Sequence, residues 1–356
     1  MQWHLDSMQA EEIWKITKGE GVTVAVIDTG VGRVPELDGQ VLPGKNFAKA
    51  AGDERVDYGP HGTGMAAMIA ATGNGPGGDG AYGLAPGAKI LPLRVSEGGG
   101  GEAANESFDK AIRFAADSEA KILNISMVSV DNTRFDDAVK YALSKGKLIF
   151  AGVGNDGDKG NRVMYPAATP GVVGVAAVDR DANATKESQH GPQVDLAAPG
   201  ADIVSACARE TGLCKGHGTS DATALASASA ALIWAEHPDW TNNQVLRVML
   251  NTAGKPRDGV GRNDYVGHGV VRPRIALTRP GDPGPADEFP LPELAAAQPG
   301  GTPSPAGGSA APAAPGPVTE APADDRTGLY LALGAGAAVL LGAAVAVAVV
   351  RSRRNT

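Results

Sequence analysis

Five stretches of this chain, residues 22–27, 90–95, 122–126, 148–153 and 172–178, are apolar at nearly every successive position rather than at alternate ones. A strand with one wetted face alternates, whereas a strand covered on both faces does not. Helix-compatible segments lie between and after them, at 61–71, 105–118, 133–144, 220–236 and 241–251, the fourth stopped by Pro238. Strand–helix alternation over residues 1–279 predicts an α/β fold, a mainly parallel sheet between layers of helices. Chemistry in such sheets sits at the carboxyl ends of the strands. Aromatic residues are only 4% of the chain against 42% hydrophobic, so the core has to be built from Ala, Val, Ile and Leu.

The remaining residues follow other rules. Residues 280–328 are rich in Pro, Ala and Gly without apolar periodicity, a composition that reads as an extended linker. Residues 329–350 are an unbroken run of Leu, Ala, Val and Gly after Tyr330. At about 1.5 Å per residue they reach roughly 33 Å, enough to cross a hydrocarbon core. Arg351, Arg353 and Arg354 follow in the tail 351–356, while Asp324, Asp325 and Arg326 precede the run. The expectation is a single-pass cell-membrane protein with a cytoplasmic tail and an extracytoplasmic domain. Export needs a signal peptide, and Met1-Gln2-Trp3-His4-Leu5-Asp6 is not one, so that signal is expected to be absent from this sequence.

Cys207 and Cys214, seven apart in a Gly-containing loop, are expected to pair as a local disulfide in an oxidising exterior, two free thiols being the alternative. Two cysteines offer no credible second pair of metal ligands, and no metal or cofactor is expected. A net charge of -8 without a basic cluster outside the tail argues against a nucleic-acid partner.

Three motifs carry the chemistry. Val24-Ala25-Val26-Ile27-Asp28-Thr29-Gly30 is an apolar run ending in a carboxylate; Pro60-His61-Gly62-Thr63-Gly64 opens one helix; Gly216-His217-Gly218-Thr219-Ser220 opens another. A serine hydroxyl holds its proton too tightly to attack at neutral pH. It needs an adjacent base, and the base needs a third group to fix its tautomer. Ser220 is the candidate nucleophile, His61 the general base and then acid, and Asp28 the orienting carboxylate. The order acid, histidine, serine is that of the subtilisin triad, and excludes α/β-hydrolases, which run serine, acid, histidine around a Gly-x-Ser-x-Gly elbow.

Together the three segments resemble the subtilases, the subtilisin-like serine peptidases. Within them, Gln2-Trp3-His4-Leu5, Val41-Leu42-Pro43-Gly44-Lys45-Asn46-Phe47, Gly83-Leu84-Ala85-Pro86-Gly87-Ala88, the cysteine loop, the linker and the anchor resemble the mycosins, membrane-anchored subtilases of type VII secretion. The resemblance implies a serine endopeptidase with a secreted protein or peptide as substrate and a secretion complex in the same membrane as partner. It implies that Asn155, in Gly154-Asn155-Asp156-Gly157, donates to an oxyanion. It further implies that Ser126, Met127 and Val128 on one side, and residues 97–101 with Gly99 and Gly100 on the other, flank a substrate bound as an added strand. Met127-Val128 replaces the family's usual Leu-Gly, so Val128 is expected to narrow the pocket for the residue before the cut.

Two positions depart from the pattern: Asp221 follows the nucleophile where an apolar or aromatic residue is usual, and Ala224 replaces a proline. A carboxylate there is expected to raise the pKa of His61 or to oppose oxyanion formation. It also supports the alternative of a docking component of a secretion complex with weak or no peptidase activity.

Overall fold

The computed structural model describes residues 2–97, 105–130, 135–207 and 212–291. Seven strands form one sheet: β1 (Thr23–Asp28), β2 (Lys45–Asn46), β3 (Lys89–Arg94), β4 (Ile122–Ile125), β5 (Leu148–Gly152), β6 (Val172–Val178) and β7 (Leu196–Pro199). Their order is β2-β3-β1-β4-β5-β6-β7 with every neighbouring pair parallel. An antiparallel hairpin, β8 (Ile203–Ala206) with β9 (Leu213–Gly216), stands apart and is bridged by the Cys207–Cys214 disulfide. Sequence patterning reached the five long strands to within a residue or so. It missed two-residue β2, the Ala- and Pro-containing β7, and the hairpin, whose outward residues Leu213 and Lys215 give no apolar run.

Continuous apolarity in the strands has a direct cause. Val24 and Val26 enter one core layer while Ala25 and Ile27 enter the other; Ile122 and Leu123, and Leu148 and Ile149, divide in the same way. Period-2 alternation is preserved, but both destinations are dry.

The helices are α1 (Trp3–Met8), α2 (Ala10–Trp14), α3 (His61–Ala70), α4 (Asn105–Ala116), α5 (Phe135–Ser144), α6 (Thr219–Glu236), α7 (Asn242–Thr252) and α8 (Pro273–Thr278). α4 and α5 supply one apolar layer; α3, α6, α7 and α8 supply the other, joined by α1 and α2 through Trp3, Leu5, Met8 and Ile13. α6 is buried from Thr219 to Trp234 except at Ser220. Its alanines let it lie close to the sheet, and its buried hydroxyls are satisfied by Asn124 Oδ1 for Ser227 and the Leu225 carbonyl for Ser229.

The ordered body continues past residue 279. Residues 280–291 lie along α7 without strand or helix: the Gly284 carbonyl accepts from Gln244, the Ala286 carbonyl from Thr241 and Asn243, and the Glu288 carbonyl from Arg247. Leu291 is 2% exposed in the core. Gly99, Gly100 and the segment 329–350 lie outside the described residues. Among the described residues no helix is long and apolar enough to cross a membrane.

Candidate active site

Asp28 ends β1 fully buried, and its Oδ1 lies 2.7 Å from His61 Nδ1 and accepts from the Thr29 N–H at 2.7 Å. A carboxylate can only accept, so Nδ1 carries a proton, and in the neutral ring Nε2 keeps its lone pair. Close approach of α3 to the end of β1 requires Gly62: a Cβ there would come within 2.2 Å of the Gly30 carbonyl oxygen.

Sequence reading missed what holds this pair. Asp57 Oδ1 accepts from the Thr29 hydroxyl at 2.7 Å, and its Oδ2 accepts from the Thr63 N–H at 2.8 Å and from the Thr63 hydroxyl at 2.5 Å. Thr29 Oγ1 also accepts from the Gly62 N–H at 2.9 Å. Asp57 thus serves as the carboxylate cap of α3, which has no side-chain cap at Pro60. The available signal was an Asp just ahead of a helix start.

On the far side of the cleft, Ser220 stands in the first turn of α6, where a backbone N–H has no intrahelical acceptor. Its hydroxyl donates to the Ser126 carbonyl at 3.0 Å, and the Ser126 hydroxyl donates back to the Ser220 carbonyl at 3.0 Å. Asn124 Nδ2 in turn donates to the Ser126 hydroxyl at 3.1 Å. Ser126 is therefore placed against the backbone of Ser220; Met127 packs on the core layer shared with α4 and α5, and Val128 is half-buried. Asn155 is exposed, three residues past β5. Its Oδ1 accepts from the Thr219 N–H at 2.8 Å and the Thr219 hydroxyl at 3.2 Å, which leaves the amide NH₂ to face outward. Gly218 has φ +128°, and a Cβ there would press on the Asn155 carboxamide at 3.0 Å.

His61, Asn155, Ser220 and Asp221 line one open cleft of about 550 Å³. Burial by itself would lower the pKa of His61. The charge and hydrogen bond of Asp28, with Asp221 and Asp57 behind them, outweigh this and push it up to about 9. Asp221 is pushed up to about 7 by burial, against the pull of His61. Ala224 is fully buried in an unbroken α6.

Parallel sheet and chain order agree: an acid at the end of a central strand, a histidine on the helix after it, and a serine on the helix buried beneath the sheet. That is the architecture of a subtilisin-like serine peptidase. Residues 19–269 match the Subtilase family (Peptidase S8), and the chain belongs to that family. It is 34% identical over 270 residues to a thermophilic serine proteinase of Bacillus sp. strain AK1, covering 74% of this chain and 64% of that protein's length. Mycosin-1 of Mycolicibacterium smegmatis is 31% identical over 330 residues, with 78% of this chain and 72% of mycosin-1 covered. The crystal structure of MycP1 from Mycobacterium smegmatis superposes with a TM-score of 0.69 at 30% identity, over 80% of this chain and 86% of that one.

Proposed function

We propose that the chain is a serine endopeptidase in which Asp28, His61 and Ser220 form the triad and Asn155 the side-chain half of the oxyanion hole. The observation that carries this reading is the 2.7 Å Asp28–His61 contact on the same cleft as Ser220 and the Asn155 amide. A χ1 rotation turns the Ser220 hydroxyl from the Ser126 carbonyl toward His61 Nε2. Oγ then attacks the peptide carbonyl as Nε2 takes its proton, and Asp28 stabilises the imidazolium. The Ser220 N–H and the Asn155 amide receive the oxyanion, each such donor being worth about 3–4 kcal/mol. Collapse breaks the C–N bond, His61 protonates the departing amine, and water deacylates the Ser220 ester by the same route.

Likeness to mycosin-1 supports a finer reading: a domain held at the membrane by residues 329–350, cutting secreted proteins beside a type VII secretion complex. A second reading, a docking body with little turnover, is favoured by one feature, the buried Asp221 carboxyl beside the nucleophile. A fluorophosphonate probe separates the two. Labelling of the unmodified protein, lost in Ser220→Ala, is the expected result; an unlabelled, folded protein supports docking instead.

A further inference from the structure

Asp221 directly follows Ser220 in the first turn of α6 and is 3% exposed. Its Oδ2 meets no hydrogen-bond donor among the described residues. A buried charged oxygen left unsatisfied destabilises the fold, so a fold that keeps one is stabilised when another molecule brings the donor.

The surroundings say what kind of donor fits. The carboxyl faces Gly216 of β9, where an added Cβ would lie 3.0 Å from Oδ2 and 3.3 Å from Oδ1, so glycine leaves that approach open. The basic groups on β9 and just after it are already engaged, Lys215 with Asp202 at 2.7 Å and His217 with Glu187 at 3.6 Å. Among the described residues His61 is the one basic group that acts on the Asp221 charge, and it is committed to Asp28. Met65, Met68 and Leu213 give the same cleft an apolar wall. A long aliphatic stem ending in a cation suits an apolar wall with a lone acid at its end.

On the peptidase reading, the cleft takes the leaving-group side. His61 borders it, and His61 has to hand its proton to the departing amine. The 126–128 segment, assigned to the acyl side, is not among the residues that line it.

We propose that this cleft receives a lysine or arginine side chain from the substrate, on the C-terminal side of the cleaved bond, with Asp221 as its counter-ion. This rests on the serine peptidase reading. It makes the departure from the usual apolar residue a specificity determinant: the substrate's cation completes a pocket that is left one donor short without it.

Two measurements test it. Peptides differing only in Lys, Arg, Leu or Glu at the first two positions after the cut are compared for kcat/KM in the unmodified protein and in Asp221→Asn. A preference of about tenfold for basic over leucine is expected, falling below about threefold in the variant. Binding of the same peptides to Ser220→Ala and to Ser220→Ala/Asp221→Asn is then read by calorimetry, which needs no turnover. Tighter binding of the basic peptides to Ser220→Ala alone supports the pocket even if the peptidase reading fails. Equal binding of basic and leucine peptides, or a preference that survives Asp221→Asn, overturns it while fluorophosphonate labelling of Ser220 leaves the peptidase reading standing.

Discussion

Ser126 and Ser220, 94 residues apart, exchange hydrogen bonds, each hydroxyl donating to the other's backbone carbonyl at 3.0 Å. The pair locks the end of β4 to the first turn of α6 and fixes where Ser220, the candidate nucleophile, stands. Ser126→Ala removes one of these bonds and leaves the Asn124 amide without its acceptor. We expect kcat to fall about tenfold with a smaller change in KM, since misplacement of a reacting group by a fraction of an ångström is felt in the chemical step. Ser126→Thr, which keeps the hydroxyl, should recover most of the loss. Steady-state kinetics on a peptide substrate decide it, and an unchanged kcat in Ser126→Ala would sink the idea.

Asp57 touches neither candidate nucleophile nor base, yet it caps α3 and anchors Thr29. Asp57→Ala should lower kcat/KM by about 10–100-fold and cost about 1–2 kcal/mol of stability, the range for a lost helix cap. If activity drops while the melting temperature and the pH profile stay put, Asp57 has a more direct role than positioning.

The pH profile follows from the carboxylates around His61. A general base has to be neutral, so kcat/KM should rise with pH through a midpoint near 9. Asp221 contributes to that upward shift, and Asp221→Asn should therefore move the midpoint down. Asp221 is itself held above the ordinary carboxylate range, so its ionisation opposes folding as pH climbs through about 7. The same variant should gain stability on the order of 2 kcal/mol at pH 8 and almost none at pH 4. A midpoint that stays in place, or a stability gain independent of pH, contradicts this account.

Much of this site is local in sequence and was legible for that reason. Asp28, His61 and Ser220 each end or begin an element, and each has its glycine beside it. The apolar runs are equally local, because a strand sandwiched between two dry layers announces itself along its own length. Other features depend on partners far along the chain. Gln2 joins the Tyr82 and Val204 carbonyls, the latter 202 residues away, and nothing near Gln2 hints at either. Residues 284–291 look like the linker that follows them, because their carbonyls are held by α7 side chains and not by a pattern of their own. Asp221 shows the opposite limit: its identity was plain, but its missing donor appears only once the fold surrounds it.

His4 offers a test of the N-terminal segment. Among the described residues neither buried ring nitrogen has a hydrogen-bond partner, and burial lowers the pKa to about 4. The unfolded chain therefore binds the extra proton between pH 6.5 and 4 and the folded one does not, so stability present above pH 6.5 is lost as pH falls through that window. The loss should reach about 3 kcal/mol, and His4→Phe should flatten it. Thermal melts from pH 7 to 4 provide the measurement; parallel slopes for the two proteins would rule it out.

The clamp on α7 separates two truncations. A chain ending at Ser304 keeps Gly284, Ala286, Glu288 and Leu291 and should match the longer protein in melting temperature. A chain ending at Arg279 loses all four and exposes the core face under Leu291, with an expected cost of roughly 2–4 kcal/mol from that side chain and the stranded donors. Equal melting temperatures for the two would mean that residues 280–291 rest on the domain without supporting it.

The candidate acid and base lie near each other along the chain, and the candidate nucleophile lies far from both. Asp28 and His61 are 33 positions apart, on β1 and α3, while Ser220 meets Ser126 across 94 positions. α6 cannot stand alone in water, because nearly all of its surface is built to be covered, and β4 to β7 must exist before it has anywhere to go. Loop closure over such spans is slow to search. On the peptidase reading, a half-made copy holds Ser220 on an unplaced helix, away from its proposed base. Any reactivity of Ser220 is then tied to completion of the fold.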